Sequence, residues 1–291
     1  MEIRTFSIVA GSLACNARCP FCIASMTPEN GVGTKEPQVN WRNFRKACQL
    51  AKDSGCVTAM ITSKGEPTLF PDQVTAFLEA MDPYKFPIIE MQTNGIFIAE
   101  GTRVRESHLK TWHKFGLTTV AISVVHYDAE KNRQIYLPHK KSYIDLPDLI
   151  ERLHQFGFSV RLTTILAQGF LDSVDEVKNM IEFARANQVE QLTCTPVTKP
   201  DKSEDAKIYS WTDRHQLSDE QFGAIKEYVH ANGALLQNLK HGARVFDMSG
   251  QNLCLSNCIT VDPDATEIRS IIFFPDGHVR TAWQYSGSIL F

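Results

Sequence analysis

The chain has 291 residues, 43% of them apolar, and a formal net charge of −3 without a long run of like charge, so it can bury a full core without crosslinks and offers no basic stripe to a nucleic-acid backbone. No window reaches the roughly 20 apolar residues of a membrane span, and the N-terminus lacks a secretory apolar stretch, so the expectation is a soluble cytoplasmic protein with neither nucleic acid nor membrane as partner. Eight cysteines in such a chain are expected to be metal ligands, catalytic thiols or packed core rather than disulfides.

Short β-rich runs alternate with amphipathic helical stretches. TFSIVA (5–10) precedes a helix over 40–54, VTAMIT (57–62) one over 71–81, and IIEMQT (88–93) one over 103–115. TTVAISVV (118–125), SVRLTTIL (159–166) and EQLTCT (190–195) precede helices over 145–156, 173–186 and 218–232. Trp41, Phe44, Cys48 and Ala51 share one helical face, and Val174, Val177, Ile181 and Ala184 another. Ser173 with Glu176 and Ser218 with Gln221 have capping-box spacing, while Gly55, Gly116, Gly157 and Gly233 stand where a left-handed C-terminal cap is needed. Strand-helix pairs in such succession predict an α/β fold, a parallel sheet with helices outside it.

Two regions break the rhythm. The connection from Gly11 to about Asn40 far exceeds the roughly 2–6 residues of an ordinary βα loop, and it contains SLACNARCPFC. After Gly233 the pattern turns irregular and ends in SIIFFPDGHVRTAWQY, a hairpin signature with Asp276-Gly277 at its turn. The predicted organisation is a core of residues 1–233 and an α+β extension of residues 234–291 whose hairpin covers the mouth of the core. Reacting groups in parallel α/β folds gather where strands end, and the cysteine loop follows the first strand.

Cys15, Cys19 and Cys22 supply three thiolates in eight positions. Structural zinc takes four ligands, usually as two pairs, and no fourth is near. A four-iron cubane held by three cysteines keeps one iron open to a small molecule. Asn16, Arg18 and Pro20 make this a polar turn, which opposes a chance cluster of core cysteines.

CNARCPFC resembles the cysteine signature of radical S-adenosylmethionine (SAM) enzymes, with Phe21 at the aromatic position. The resemblance continues with SKGEPTL after the second strand, where Lys64 replaces the first glycine of a glycine-glycine-glutamate motif. QTNG follows the third strand, AISVV forms the fourth and LTCTPV the sixth, so that residues 5–198 are covered. It implies a partial (β/α)6 TIM-like barrel, a 4Fe-4S cluster on Cys15, Cys19 and Cys22, and SAM chelated to the open iron. An electron from the cluster would cleave SAM to a 5'-deoxyadenosyl radical that takes a hydrogen atom from the substrate, with a reductant such as flavodoxin or ferredoxin supplying the electron. By the same resemblance Phe21 approaches the adenine, and Gly65, Glu66 and Pro67 receive the SAM ammonium. Asn94 and Ser123 contact ribose or carboxylate, and Pro196 and Val197 line the adenine pocket.

Other features carry less. GVG (31–33) lacks the third glycine of a dinucleotide loop and DPDAT (262–266) the glycine of a calcium loop. Cys48 and Cys56 read as packed thiols, and His126, His139 and His154 as surface or satisfied core. Cys254 and Cys258 in NLCLSNC, with Cys194, leave three readings open: an auxiliary iron-sulfur cluster, a thiol that returns a hydrogen atom to the substrate radical, or packing. Ala282 and Trp283 stand where related hairpin modules carry a further cysteine. The chain opens on its first strand, so no N-terminal peptide-recognition domain is expected. The substrate reading is therefore a small polar molecule, a sugar or amino sugar undergoing epimerisation. Oxidation or crosslinking of a peptide or small molecule through an auxiliary cluster is the alternative, and a non-enzymatic iron-sulfur or zinc scaffold is the alternative of another class.

Overall fold

The computed structural model describes residues 2–200, 202–239, 242–256 and 267–291. Strand β1 (Glu2–Val9) leads into the cysteine loop, a single helical turn α1 (Ile23–Met26), and the first crossover helix α2 (Trp41–Asp53). β2 (Thr58–Thr62) is followed by α3 (Pro71–Met81), and β3 (Ile88–Thr93) by α4 (Ile96–Glu100) and α5 (Glu106–Lys114). β4 (Thr119–Val124) leads to α6 (Ala129–Tyr136) and α7 (Leu146–Gln155), and β5 (Ser159–Leu166) to α8 (Val174–Ala186). β6 (Gln191–Pro196) is followed by α9 (Ala206–His215) and α10 (Asp219–Asn232). The remaining strands are β7 (Ala234–Asn238), β8 (Arg244–Met248), β9 (Gln251–Leu255), β10 (Glu267–Phe273) and β11 (Val279–Arg280).

The eleven strands among the described residues form one sheet in the order β11-β10-β1-β2-β3-β4-β5-β6-β9-β8-β7, and β1 to β6 are parallel throughout. The sheet ends at β11 and β7, so it is a partial barrel. Alternation along the strands separates its two faces. Phe6, Ile61, Met91, Ile122, Leu162 and Leu192 pack with Phe44, Val74, Leu109, Leu149 and Val177 of the helices in one continuous core. The residues between them, among them Met60, Gln92, Ser123, Thr163 and Thr193, are half-buried and mostly polar, and they line the face turned away from the helices.

The helix ends follow their predicted chemistry with two exceptions: the Glu176 carboxylate turns to His126 and Tyr127, so the Ser173 box is only half formed, and Gly233 does not adopt the left-handed cap. Ser218 and Gln221 form the reciprocal capping box, the Ser173 side chain accepts from the Glu176 amide, and Gly55, Gly116 and Gly157 are left-handed. Gly233 is instead extended at φ −108°, because the chain enters β7 directly. Its glycine requirement is one of space: a Cβ there would stand 2.5 Å from Met248 Sδ.

The 234–291 segment flanks the barrel strands on both sides. β9 pairs in parallel with β6 and β10 in parallel with β1. The Asp276-Gly277 turn forms, with Gly277 at φ 94° and β10 antiparallel to β11. It lies at the C-terminal end of β1, where the Asn43 side chain donates to Gly277 O at 2.9 Å. DPDAT and Cys258 lie outside the described residues.

Candidate active site

The cysteine loop leaves β1 at its C-terminal end and is held by backbone contacts to the loop after β2. Glu66 N donates to Ala14 O at 3.0 Å, and a Cβ on Gly65 would lie 2.1 Å from that oxygen, so only glycine allows the two loops to touch. Burial pushes the Cys19 thiol up, and the neighbouring Cys22 and Cys15 add to the shift, which places the three thiols within one another's field. As they stand, no three His, Cys, Asp or Glu side chains among the described residues are gathered tightly enough to hold a metal ion. The donor set still suits an iron-sulfur cluster, which is rich in acceptor sulfur. Asn16 Nδ2, between Cys15 and Cys19 in sequence, and the Tyr143 hydroxyl, whose pKa is raised by burial and by Cys19, are buried without a hydrogen-bond partner among the described residues.

Glu66 is 2% exposed, and its carboxylate is engaged by the protein itself. Oε1 accepts from Thr68 N at 3.0 Å, Thr68 Oγ1 at 2.6 Å and Thr93 Oγ1 at 2.6 Å, and Oε2 from Asn94 N at 2.9 Å. Burial pushes this carboxyl up, and the four donors pull it back. Expected as a ligand for the SAM ammonium, Glu66 sits in the structure as the tie between the ends of β2 and β3. Asn94 is committed likewise: its Nδ2 donates to Asn16 Oδ1 at 2.7 Å and its Oδ1 accepts from Ile96 N at 3.1 Å, so it joins the cysteine loop to α4. Pro67 is buried and opens a 3-10 turn over Pro67–Leu69.

Phe21 packs with Trp211 at 5.5 Å and Tyr136 at 6.4 Å between ring centroids. Ser123 is half-buried on the polar face of β4, and Pro196 and Val197 are buried where β6 ends. These residues therefore share the strand-end rim with the cysteines. Sequence reasoning passed over Lys64 except as a departure from a motif. It is 4% exposed, and its Nζ donates to Ala24 O, to Thr27 O at 2.9 Å and to Thr27 Oγ1 at 2.7 Å. Burial lowers its pKa to about 8 against the pull of Cys22, Glu29 and Glu204. A lysine flanked by small residues one position before Gly65 was the available signal.

Cys194 and Cys254 are divided by the sheet. Cys194 packs in the helix-side core, whereas Cys254 is paired with Thr193 and shares its half-buried polar face. Cys48 and Cys56 are buried, as expected. His126 is buried and satisfied: Nδ1 accepts from Asp128 N at 2.9 Å and Nε2 meets Glu176 Oε2 at 3.0 Å.

Comparison with known proteins agrees with this fold. SuiB of Streptococcus suis bound to S-adenosylmethionine superposes with a TM-score of 0.63 at 12% identity, over 97% of this chain and 60% of that one. A radical SAM methyltransferase from Sphaerobacter thermophilus gives 0.53 at 16% identity, over 77% and 63%. Identities this low establish the shared fold, and the chain spans about 60% of the length of SuiB. No curated protein sequence matches. The sequence matches the radical SAM superfamily over residues 11–184, more than half its length and the whole stretch from the cysteine loop to α8, so the chain belongs to the radical SAM superfamily of enzymes.

Proposed function

We propose that Cys15, Cys19 and Cys22 hold a 4Fe-4S cluster and that the enzyme acts on a small polar substrate laid against the half-buried face of the sheet. The observation that carries this is the junction of two loops, the Glu66 amide on Ala14 O and Gly65 against the same carbonyl. It sets the cysteines at the rim of a face lined by Gln92, Ser123, Thr163 and Thr193. When bound, the cluster supplies the electron that cleaves SAM to the radical that abstracts hydrogen. The chain's own residues position and shield: Glu66 and Asn94 fix the rim, Phe21 and Trp211 wall the Cys19 side, and Pro196 and Val197 close the end of β6. Amide and hydroxyl side chains on the inner face suit a polyhydroxylated substrate, and Cys254 on that face is the thiol that would return a hydrogen atom in an epimerisation, the thiyl radical left on its sulfur then being restored by an electron from the external reductant and a proton from solvent.

A peptide is the second reading, favoured by the likeness to SuiB, which is also known bound to its precursor peptide SuiA. It would bring an auxiliary cluster on the extension, to which Cys194, facing the core, could not contribute.

The test is anaerobic reconstitution followed by reduction with dithionite in the presence of SAM. Release of 5'-deoxyadenosine that disappears when Cys15, Cys19 and Cys22 are all alanine supports the reading; release that survives in the triple variant overturns it. Turnover in heavy water separates the two substrate chemistries. A thiol proton exchanges with solvent, so a redox-neutral epimerisation through Cys254 leaves one deuterium at the altered carbon, and an oxidation does not.

A further inference from the structure

We propose that Arg280 binds the carboxylate of a carboxylated small-molecule substrate, such as a sugar acid or amino acid, an inference that rests on the radical SAM reading of the barrel. Arg280 lies on β11 directly opposite Ile272 of β10. Ile272 packs with Val9, Val32 and Phe274, whereas the alternate residues Phe273 and Val279 belong to the helix-side core. Residues paired across antiparallel strands project to the same face. The guanidinium thus stands on the inner face, beside the end of β1 from which the cysteine loop departs.

Its side chain is 6% exposed. The Phe274 ring centroid lies 4.6 Å from its central carbon. Nη2 reaches Asp276 Oδ2 at 3.4 Å, an oxygen that also meets His278 Nδ1 at 2.9 Å. Nε and Nη1 are buried with no acceptor among the described residues. The buried Lys64 is better met, with its three oxygens, and even the part-exposed Arg161 has Glu90 at 2.8 Å. A guanidinium cannot shed its charge, and buried donors without acceptors destabilise a fold, so the arrangement is explained by an anion that arrives with a ligand.

The surroundings narrow the anion. Asp276 already offsets part of the charge, which disfavours a phosphate dianion relative to a carboxylate. Phe274 and Trp283, edge to face at 5.7 Å, give an apolar wall for the organic body behind it. The position, across β1 from the loops expected to hold SAM, suits a substrate contact.

Thermal melting in sodium acetate, inorganic phosphate and sodium chloride of equal ionic strength tests this on the protein as it stands. Acetate is expected to raise the wild-type melting temperature above the chloride value, with phosphate raising it less, by preferential binding to the folded state. Arg280→Met is expected to lose the acetate shift and, in chloride, to melt at or above the wild type, because an apolar side chain of similar reach replaces a cation with unmet donors. Arg280→Lys, which keeps the charge without the planar fork, is expected to keep a smaller acetate shift. A structural cation gives the opposite pattern, with Arg280→Met melting below the wild type in chloride, and that result overturns the proposal. So does a missing acetate shift in the wild type, a full one in both variants, or a phosphate shift exceeding that of acetate. The radical reading is judged separately, by 5'-deoxyadenosine release from the wild-type holoenzyme, so the two can fail independently.

Discussion

A carboxylate offers about two lone-pair directions on each oxygen; at Glu66 the three donors from Thr68 and Thr93 crowd onto Oε1 and Asn94 N meets Oε2, which keeps one direction to spare. Glu66→Gln replaces one acceptor oxygen by a donor facing another donor and removes the charge from the rest, so it is expected to cost about 2–4 kcal/mol of stability. Urea unfolding checks the loss; if stability is unchanged while SAM affinity falls, the carboxylate is held for the ammonium and not for the fold. Glycine, glutamate and cysteine at these positions were legible because motif spacing is local. The four donors were not, because Thr93 and Asn94 approach only once β3 lies beside β2. Lys64 shows the same limit, since nothing before folding says that its amine will find Ala24 and Thr27. Lys64→Met strands those oxygens and is expected to cost about 1–3 kcal/mol, with faster amide exchange across 22–27 and lower iron uptake on reconstitution. Unaltered exchange there would show that the lysine does not secure the loop.

Among the elements, strands with an apolar half were the most legible: SVRLTTIL is β5 over Ser159–Leu166, residue for residue. The short helices were missed. α4 has five residues and α6 eight, too few turns for a periodic pattern to stand out, and α9 buries only Thr212. The link between β4 and α8 is also a tertiary product. It is made by His126, whose pKa burial lowers, aided by Lys131 and opposed by Glu176. The sign of its pH effect follows from linkage. Below an unfolded value of about 6.5 the unfolded chain takes up a proton that the folded chain refuses, so stability falls as pH drops through that point and is insensitive to this group above it. His126→Gln, which cannot titrate, is expected to flatten the change in urea midpoint between about pH 7 and pH 5.5. If wild type and variant lose stability equally over that interval, His126 is not its source.

Over the whole molecule, the sequence divides into a barrel of 1–233 and an extension, while the sheet runs through both. β1 lies between β10 and β2, and β6 between β5 and β9. The pairing of β10 with β1 joins Glu2 to Glu267 and Ile8 to Phe273, a contact between the two ends of the chain that no local pattern announces. Its consequence is energetic. Phe246, Leu253, Ile271, Phe273 and Val279 belong to the same core as Phe6, Phe44 and Phe77. Each such side chain contributes about 1.5–3 kcal/mol by burial, and a domain's net stability is only about 5–15 kcal/mol. Removing five of them takes away about as much as the whole net stability of a domain, and baring the flanks of two central strands adds to the loss, so a fragment of residues 1–233 is expected not to hold its fold. That fragment is expected to lack a cooperative thermal transition and to show no near-ultraviolet dichroism from its buried aromatic residues, while the full chain shows both. A fragment that melts cooperatively with near-native dichroism would mean that the strands after Gly233 are an addition to a barrel already complete. It would also mean that Arg280, riding on β11, is carried by a separable module and not by the sheet that bears the cysteine loop.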